Sequence, residues 1–287
     1  MKSARKVGVD LECRRASPKI AFIMSIYISD TVDQVINAIG SLSDQTYGHV
    51  GIFLYLDGPV DHEVERCVRE HAQKEDTIFL YSNEKNKGLA HALNFLINKV
   101  VAMNSYQYIA RMDADDYSLP ERAATQVAYM EKNPSIALSG SFCEEFGDGF
   151  KNTIRELPTS HDSLKQRAIA RSPFIHPTVI FRTEIFATGG VNYPIVDRGE
   201  DLELFRSLIC MGYRLANIPE VLLHFRVDNE TIARRKAHGS LKELSYGLSF
   251  MLRSQQATLG NVLRILGRFA YKNLPPRLMW FFWQSLR

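Results

Sequence analysis

Long apolar runs are missing from this chain of 287 residues. Nowhere does it hold the uninterrupted apolar stretch that a spanning helix requires, so no membrane crossing is expected. Met1 to Lys19 is polar and basic, without the apolar core of a secretion signal, and none is expected there. Cysteine is scarce, with Cys13, Cys67, Cys143 and Cys210 far apart and in no paired spacing. That argues against a disulfide framework or a zinc site and suits a reducing cytoplasm. The net charge of +3 is too small to argue for a nucleic-acid partner. Glycine-rich phosphate loops are absent too, since neither GxGxxG nor GxxxxGK(S/T) occurs. Acidic residues stop at Glu243, after which Arg253, Arg264, Arg268, Lys272, Arg277 and Arg287 follow.

What is present is an alternation of strands and helices. Lys19 to Ile28 reads as a buried first strand. Asp30-Thr31-Val32 opens a helix with Val32, Val35, Ile36, Ile39 and Leu42 at helical spacing. A strand over Val50 to Leu56 closes at Asp57-Gly58-Pro59. A helix from Asp61 to Lys74, a strand from Thr77 to Tyr81 and a polar loop from Asn83 to Gly88 come next. The spacing then predicts a helix over Leu89 to Met103 and a fourth strand over Tyr106 to Ala110. Beyond Met130 the pattern weakens. Strands are expected at 136–142 and 176–182, with one or two in 214–226, and helices at 157–171 and 200–211. With no internal repeat and no low-complexity linker, one domain is expected. Such alternation makes a mainly parallel sheet with right-handed crossovers. The loops at Ser29-Asp30, Asp57, Asn83 to Asn86 and Asp113 to Asp116 would then converge on one edge of it.

Arg111-Met112-Asp113-Ala114-Asp115-Asp116-Tyr117 follows the fourth strand. Three carboxylates in four positions repel one another, and a divalent cation with oxygen ligands is the simplest counter-charge. With no glycine-rich loop, a metal rather than a helix N-terminus is expected to neutralise bound phosphates. The same run also reads as a turn before a helix, with Ser118 as N-cap and Glu121 three residues on.

Nine short pieces stand in one order along the chain. They are Ser25-Ile26-Tyr27, Ser41 to Tyr47, Leu56-Asp57-Gly58, Asn86 to Asn94, Ala110 to Asp116, His176-Pro177-Thr178, Gly189-Gly190, Gly199-Glu200-Asp201 and Ile218 to Leu223. In these pieces, between about Lys19 and Arg235, the chain resembles the inverting glycosyltransferases of family 2. Within that family it looks most like bacterial enzymes that build O-antigen or exopolysaccharide units on a lipid diphosphate, the amylovoran type. The resemblance implies an α/β fold, a single nucleotide-diphospho-sugar transferase domain of the GT-A type. Its central sheet would be mixed but mainly parallel, flanked by helices and followed by a C-terminal amphipathic helical tail. The implied boundaries are a basic extension over 1–18, a catalytic domain over 19–240 and a tail over 241–287. The catalytic domain divides into a nucleotide-binding half, 19–117, and an acceptor-binding half, 118–240.

The implied activity is hexosyl transfer, galactose or glucose, from a UDP-sugar to a lipid-diphosphate-linked glycan. The place would be the cytoplasmic face of a bacterial inner membrane. By the same resemblance Asp115 is the first candidate ligand of Mn²⁺ or Mg²⁺. Asp113 would contact the ribose or a metal-bound water, with Asp116 as a further candidate. Asp57 would bind the uracil or its ribose, and Asn86 and Gly88 would approach the nucleotide. Arg111 would orient the carboxylates or contact diphosphate, although an ordinary ion pair explains it equally well. Asp201 would be the general base, with Glu200 holding the acceptor, while acids at a helix start also favour the helix dipole. Three departures stand out. The first strand ends Ser25-Ile26-Tyr27-Ile28 instead of Pro-x-Tyr-Asn, and the second ends Leu56-Asp57-Gly58-Pro59 instead of Asp-Asp-Gly-Ser. Asp228 stands where a His is often found, which leaves the third metal ligand open, with His224 as candidate. His176 is expected to be structural or to line the acceptor site. Arg226, Arg234 and Arg235 form a basic group for a diphosphate or a solvated face.

Gly260 to Tyr271 fits an amphipathic helix, with Val262, Ile265, Leu266 and Phe269 on one face and Arg264, Arg268 and Lys272 on another. Pro275-Pro276 ends it, and Met279 to Trp283 is almost wholly aromatic. This combination suits an anionic membrane surface, or the helix packs on the domain. Two other functions fit the sequence less well. A sugar nucleotidyltransferase needs a Gly-rich basic loop after the first strand, and Tyr27-Ile28-Ser29-Asp30 is not one. A non-catalytic nucleotide-sugar-binding protein would not need the full set Asp113, Asp115 and Asp201.

Overall fold

A computed structural model describes residues 17–147, 151–228 and 241–273. Strand β1 (Ile20–Ile26) lies at the centre of the N-terminal half, and Ile20 to Met24 have no exposed surface. It pairs in parallel with β2 (Val50–Asp57) on one side and β4 (Tyr108–Asp113) on the other, and β3 (Ile78–Asn83) pairs outside β2. A strand buried on both faces must be apolar at every position, and period-two alternation then decides which layer each residue joins. Ile20, Phe22, Met24 and Ile26 pack with α1 (Val32–Ser43), α2 (His62–Lys74) and α4 (Arg122–Lys132). Ala21 and Ile23 pack on the opposite layer, with α3 (Leu89–Met103) and α7 (Glu200–Cys210).

The second half continues the sheet in mixed sense. Its strands are β5 (Tyr117–Ser118), β6 (Ile136–Phe146), β7 (Thr153–Arg155), β8 (Ile180–Arg182) and β9 (Arg214–Arg226). The order is β3-β2-β1-β4-β8-β6-β9-β5, with β7 on β6. Strand β8 runs antiparallel to β4 and β6, and β9 runs parallel to β6. The expected mixed, mainly parallel sheet with flanking helices is what forms. The chain leaves β1 toward β2 and β3 and then returns to β4 on β1's other side. That reversal opens a crevice beyond the carboxyl ends of β1, β2 and β4. Register places Ser25 beside Asp113 and Ile26 beside Leu56, so these ends are level.

Local expectations shift in five places. β4 runs on to Asp113, because Met112 and Asp113 pair with β1 and the Arg111 amide donates to the Val179 carbonyl. Helix 157–171 shrinks to α5 (His161–Ala168), capped by Ser160. Pro158 and Thr159 ahead of it are tied to Asn217 instead. His176 to Thr178 form a 3₁₀ turn, with Pro177 where its missing N–H costs nothing, and only Ile180 to Arg182 are extended. Arg214 to Arg226 form one strand. Ser118 is no helix cap; it lies in β5, its amide donates to Ser41 Oγ, and α4 starts at Arg122 after Glu121.

Arg122 fastens the end of β4. It is fully buried, and its guanidinium donates to the Arg111 carbonyl at 2.7 Å, the Pro177 carbonyl at 2.8 Å and Gln126 Oε1 at 3.1 Å. It stacks on Phe22 at 5.1 Å. Burial pushes its proton affinity down, and Asp116 partly offsets this. An Arg122→Ala chain is expected to lose about 3–5 kcal/mol in a urea titration, from the emptied volume plus two carbonyls left without donors.

Two helices, Leu241–Arg253 and Leu259–Lys272, follow the domain and pack on it. Phe250, Met251 and Ile265 join the core beside α7, and Arg206 lies over the Phe250 ring. The second helix falls where an amphipathic helix was expected, but its faces differ. Leu266 is exposed, while Arg268 and Lys272 share the domain-facing side with Ile265. No helix among the described residues is long and apolar enough to cross a membrane. Residues 1–16, Arg234, Arg235 and the Pro275 to Trp283 segment lie outside the described residues.

Candidate active site

The four loops meet as expected. Asp30, Asp57, Asn86, Gly88, Arg111, Asp113, Asp115, Glu200 and Asp201 all line one cleft of about 640 Å³. Asp57 ends β2 and is buried. Its two carboxylate oxygens accept from the backbone amides of Lys87 and Gly88, each at 2.9 Å. It therefore clamps the loop that starts α3 and is no mere turn-former. Gly58 makes the clamp feasible. Its φ is +88°, and a Cβ there would lie 2.5 Å from the Asn86 amide nitrogen. Only glycine fits both demands. Asn86 Oδ1 adds a third acceptor, for the Gly88 amide at 3.0 Å. Asp57→Ala is expected to lower unfolding free energy by about 2–4 kcal/mol, since two amides lose charge-assisted partners. A urea titration of the variant checks this.

Asp113, Asp115 and Asp116 bring one carboxylate oxygen each within 4.8 Å of one another. Burial and mutual repulsion raise the proton affinity of Asp115 and Asp116. Asp116 Oδ1 accepts from the Arg226 amide at 2.8 Å, and its buried Oδ2 has no partner among the described residues. Arg111, buried in β4, pairs with Asp113, yet its Nε and Nη1 are buried without partners. Arg122 and Arg226 add positive charge nearby, yet burial and repulsion still prevail at Asp115 and Asp116. An all-oxygen donor set with an orphaned carboxylate oxygen fits a hard cation such as Mg²⁺ or Mn²⁺.

His224 does not join them. It lies on β9 opposite Tyr117, and its Nε2 is 3.3 Å from Glu144 Oε2. Arg226, two residues on, lines the cleft with its Nε 3.1 Å from the Asp115 carbonyl.

Across the cleft, Gly199 takes φ +79° and starts α7, so Glu200 and Asp201 stand in its first turn. Ser172 Oγ donates to Asp201 Oδ2 at 3.2 Å. Burial raises the proton affinity of both acids, against backbone N–H groups, Ser172 and the positive field of Arg111. His176 Nε2 meets the Tyr193 hydroxyl at 2.8 Å. Burial and Arg111 keep its imidazole neutral.

A family model, "Glycosyl transferase family 2", matches residues 22–190, more than half the chain. This chain belongs to that family. It is a glycosyltransferase. The amylovoran biosynthesis glycosyltransferase AmsE of Erwinia amylovora is 29% identical over 92% of this chain and 98% of its own length. The UDP-Gal:alpha-D-GlcNAc-diphosphoundecaprenol beta-1,3-galactosyltransferase of Escherichia coli is 31% identical over 76% and 78%. Among solved structures, S. aureus TarS 1-349 in complex with UDP-GlcNAc superposes with a TM-score of 0.63 at 16% identity, covering 88% of this chain and 72% of that one. A mannosyltransferase from Pyrobaculum calidifontis, in complex with GDP-Man and Mn2+, gives 0.58 at 14%, covering 94% and 81%. These likenesses are of fold, and the fold is the GT-A type.

This family-2 glycosyltransferase also brings to the cleft residues to which the sequence assigned no role. Asp30, expected at this sheet edge, is a further carboxylate there. Burial first, and then Asp115 and Asp113, lift it to about 7 even though the Tyr27 amide donates to it at 2.8 Å. Arg155 and Ser172 reach the cleft from segments with no recognisable motif. No periodicity could have marked them, because their place depends on how β7 and the segment after α5 fold back.

Proposed function

We propose that this enzyme is an inverting, metal-assisted glycosyltransferase of bacterial surface polysaccharide synthesis. The donor is a UDP-sugar, galactose or glucose, and the acceptor a glycan on a lipid diphosphate. One observation carries the reading: a crowded, under-neutralised set of carboxylates faces a second acid pair across a single cleft. Asp57 and the loop it clamps would hold the nucleoside, and Asp113 and Asp115 would hold the divalent ion. That ion supplies positive charge to the departing diphosphate. Arg111, with two unpartnered N–H groups, is placed to add to it. Asp201 would take the acceptor hydroxyl's proton as that oxygen attacks the anomeric carbon from the side opposite UDP. Attack and departure on opposite faces invert the anomeric centre. Ser172 would hold the Asp201 carboxylate in place, and Glu200 beside it would hold the acceptor.

Relatives named for amylovoran, O-antigen and diphosphoundecaprenol-linked synthesis support the acceptor class. Exposed leucines on the last described helix support peripheral contact with the inner membrane's cytoplasmic face. In domain terms, 19–117 binds the nucleotide, 118–240 the acceptor, and 241–287 the membrane, behind a basic extension over 1–18. The test is a panel of UDP-sugars with Mn²⁺ and a synthetic N-acetylhexosamine diphospholipid, read by mass spectrometry. Transfer from one donor is expected, and no transfer from any would defeat the proposal.

A further inference from the structure

The cleft does not end at Asp201. Arg155, Ser172 and Asp201 also line a second cavity of about 780 Å³. It lies between α7, the stretch after α5 and the two C-terminal helices. Seven basic side chains face it against three carboxylates. Two of those carboxylates are taken, Glu203 by Arg206 at 2.6 Å and Glu243 by Lys272 at 2.8 Å. The third is Asp201. Arg171, Arg198 and Arg268 have no carboxylate partner among the described residues. Burial lowers the proton affinity of Arg167 and Arg268, and Arg171 lowers both further. Arg171 and Arg198 are exposed at this cavity and Arg268 is half-buried beside Glu243, so an entering anion would meet accessible guanidinium groups whose planar forks match phosphate oxygens.

One wall of this cavity points to the kind of anion. Helix Leu259–Lys272 turns Ile265, Arg268, Phe269 and Lys272 inward. Leu259, Leu263 and Leu266 point outward with 76%, 60% and 44% of their surface exposed. Residues three and four apart share a helix face, so the basic recess and the apolar exterior are two sides of one helix. We infer that the cavity binds the diphosphate of the acceptor's lipid carrier, with Arg171 and Arg268 as principal contacts. The attached sugar then reaches Asp201 through the shared opening, and the lipid chain leaves past the exposed leucines. This rests on the reading of the enzyme as a transferase with a lipid-diphosphate acceptor.

Farnesyl diphosphate and farnesol serve as probes, titrated into the full chain in EDTA by calorimetry. UDP with Mn²⁺ is titrated separately. Farnesyl diphosphate is expected to bind and farnesol to bind at least tenfold more weakly. The Arg171→Ala/Arg268→Ala double variant should lose farnesyl diphosphate affinity at least tenfold and keep UDP–Mn²⁺ affinity within twofold. Arg171→Lys/Arg268→Lys should recover part of the loss, and retained UDP binding reports that each variant is folded. The inference is overturned by an unchanged farnesyl diphosphate affinity in the double variant, by equal binding of farnesol, or by no binding in the parent. It is also overturned if phosphatidylglycerol vesicles bind through the same two arginines and farnesyl diphosphate fails to displace them, which would make this a headgroup site. Absent UDP–Mn²⁺ binding in the parent would instead sink the transferase reading, leaving the diphosphate result to stand alone.

Discussion

Asp201→Asn is expected to lower turnover by about 10²–10⁴-fold, the range that a positioned general base contributes. The amide keeps the shape and can still meet Ser172, but it cannot accept the proton of an attacking hydroxyl. UDP affinity should stay within twofold, because Asp57, Asp113 and Asp115 stand on other elements. The pH dependence gives a second signature. As a general base Asp201 would work only when ionised, and burial raises its proton affinity above that of an exposed aspartate. Turnover should therefore fall with acidification at a pH above 3.8, the value for a solvated side chain. Ser172 donates to the ionised form and lowers that affinity, so Ser172→Ala should move the acid limb to higher pH. Survival of transfer in Asp201→Asn at a rate close to the parent's would remove the base assignment.

Removing the metal, or its first candidate ligand, should have an effect of similar size. Partners that merely orient ligands are worth 10–100-fold in metal affinity or activity, so Asp115→Asn should cost roughly 100-fold or more. EDTA should abolish transfer, and added Mn²⁺ should restore it. Stability offers an independent check. Asp30 has a folded value of about 7 against 3.8 for a solvated aspartate, and Asp115 and Asp116 are raised as well. Between those values these carboxylates bind more protons in the folded chain than in the unfolded one, so their contribution to stability falls as pH rises, while His176 and His161, lowered by burial, act in the opposite sense. In EDTA the melting temperature should drop from pH 4 to 7, and Mn²⁺ at pH 7 should raise it. An identical melting curve with and without Mn²⁺ at pH 7 would count against the ion site.

Much of the N-terminal half could be read from the chain. A strand buried on both faces shows itself as an unbroken apolar run, and β1 and β2 lie where theirs fall. Helix α3 follows its own periodicity, and glycine at 58 and 88 marks backbone of positive φ. The second half was less legible. Strands β5 and β7 are two and three residues long, shorter than any alternation that could announce them. The Pro177 turn runs directly into the apolar residues Val179 to Phe181, so it resembled the start of their strand. Arg122 carried no signal of its own, since nothing local shows that its guanidinium meets carbonyls of β4 and of the Pro177 turn.

Residue order alone determined the class of fold, the family and the acidic motifs at its strand ends. Local chemistry supplies all three: side-chain period, turn residues and clustered charge act over a few positions. Tertiary structure decided which charges confront which. It turned His224 toward Glu144, set Asp30 beside Asp115, and gathered Arg155, Arg171 and Arg268 behind Asp201. Those residues lie far apart along the chain, and charges interact by distance in space. Only the closing of the sheet and the packing of the last helices set those distances.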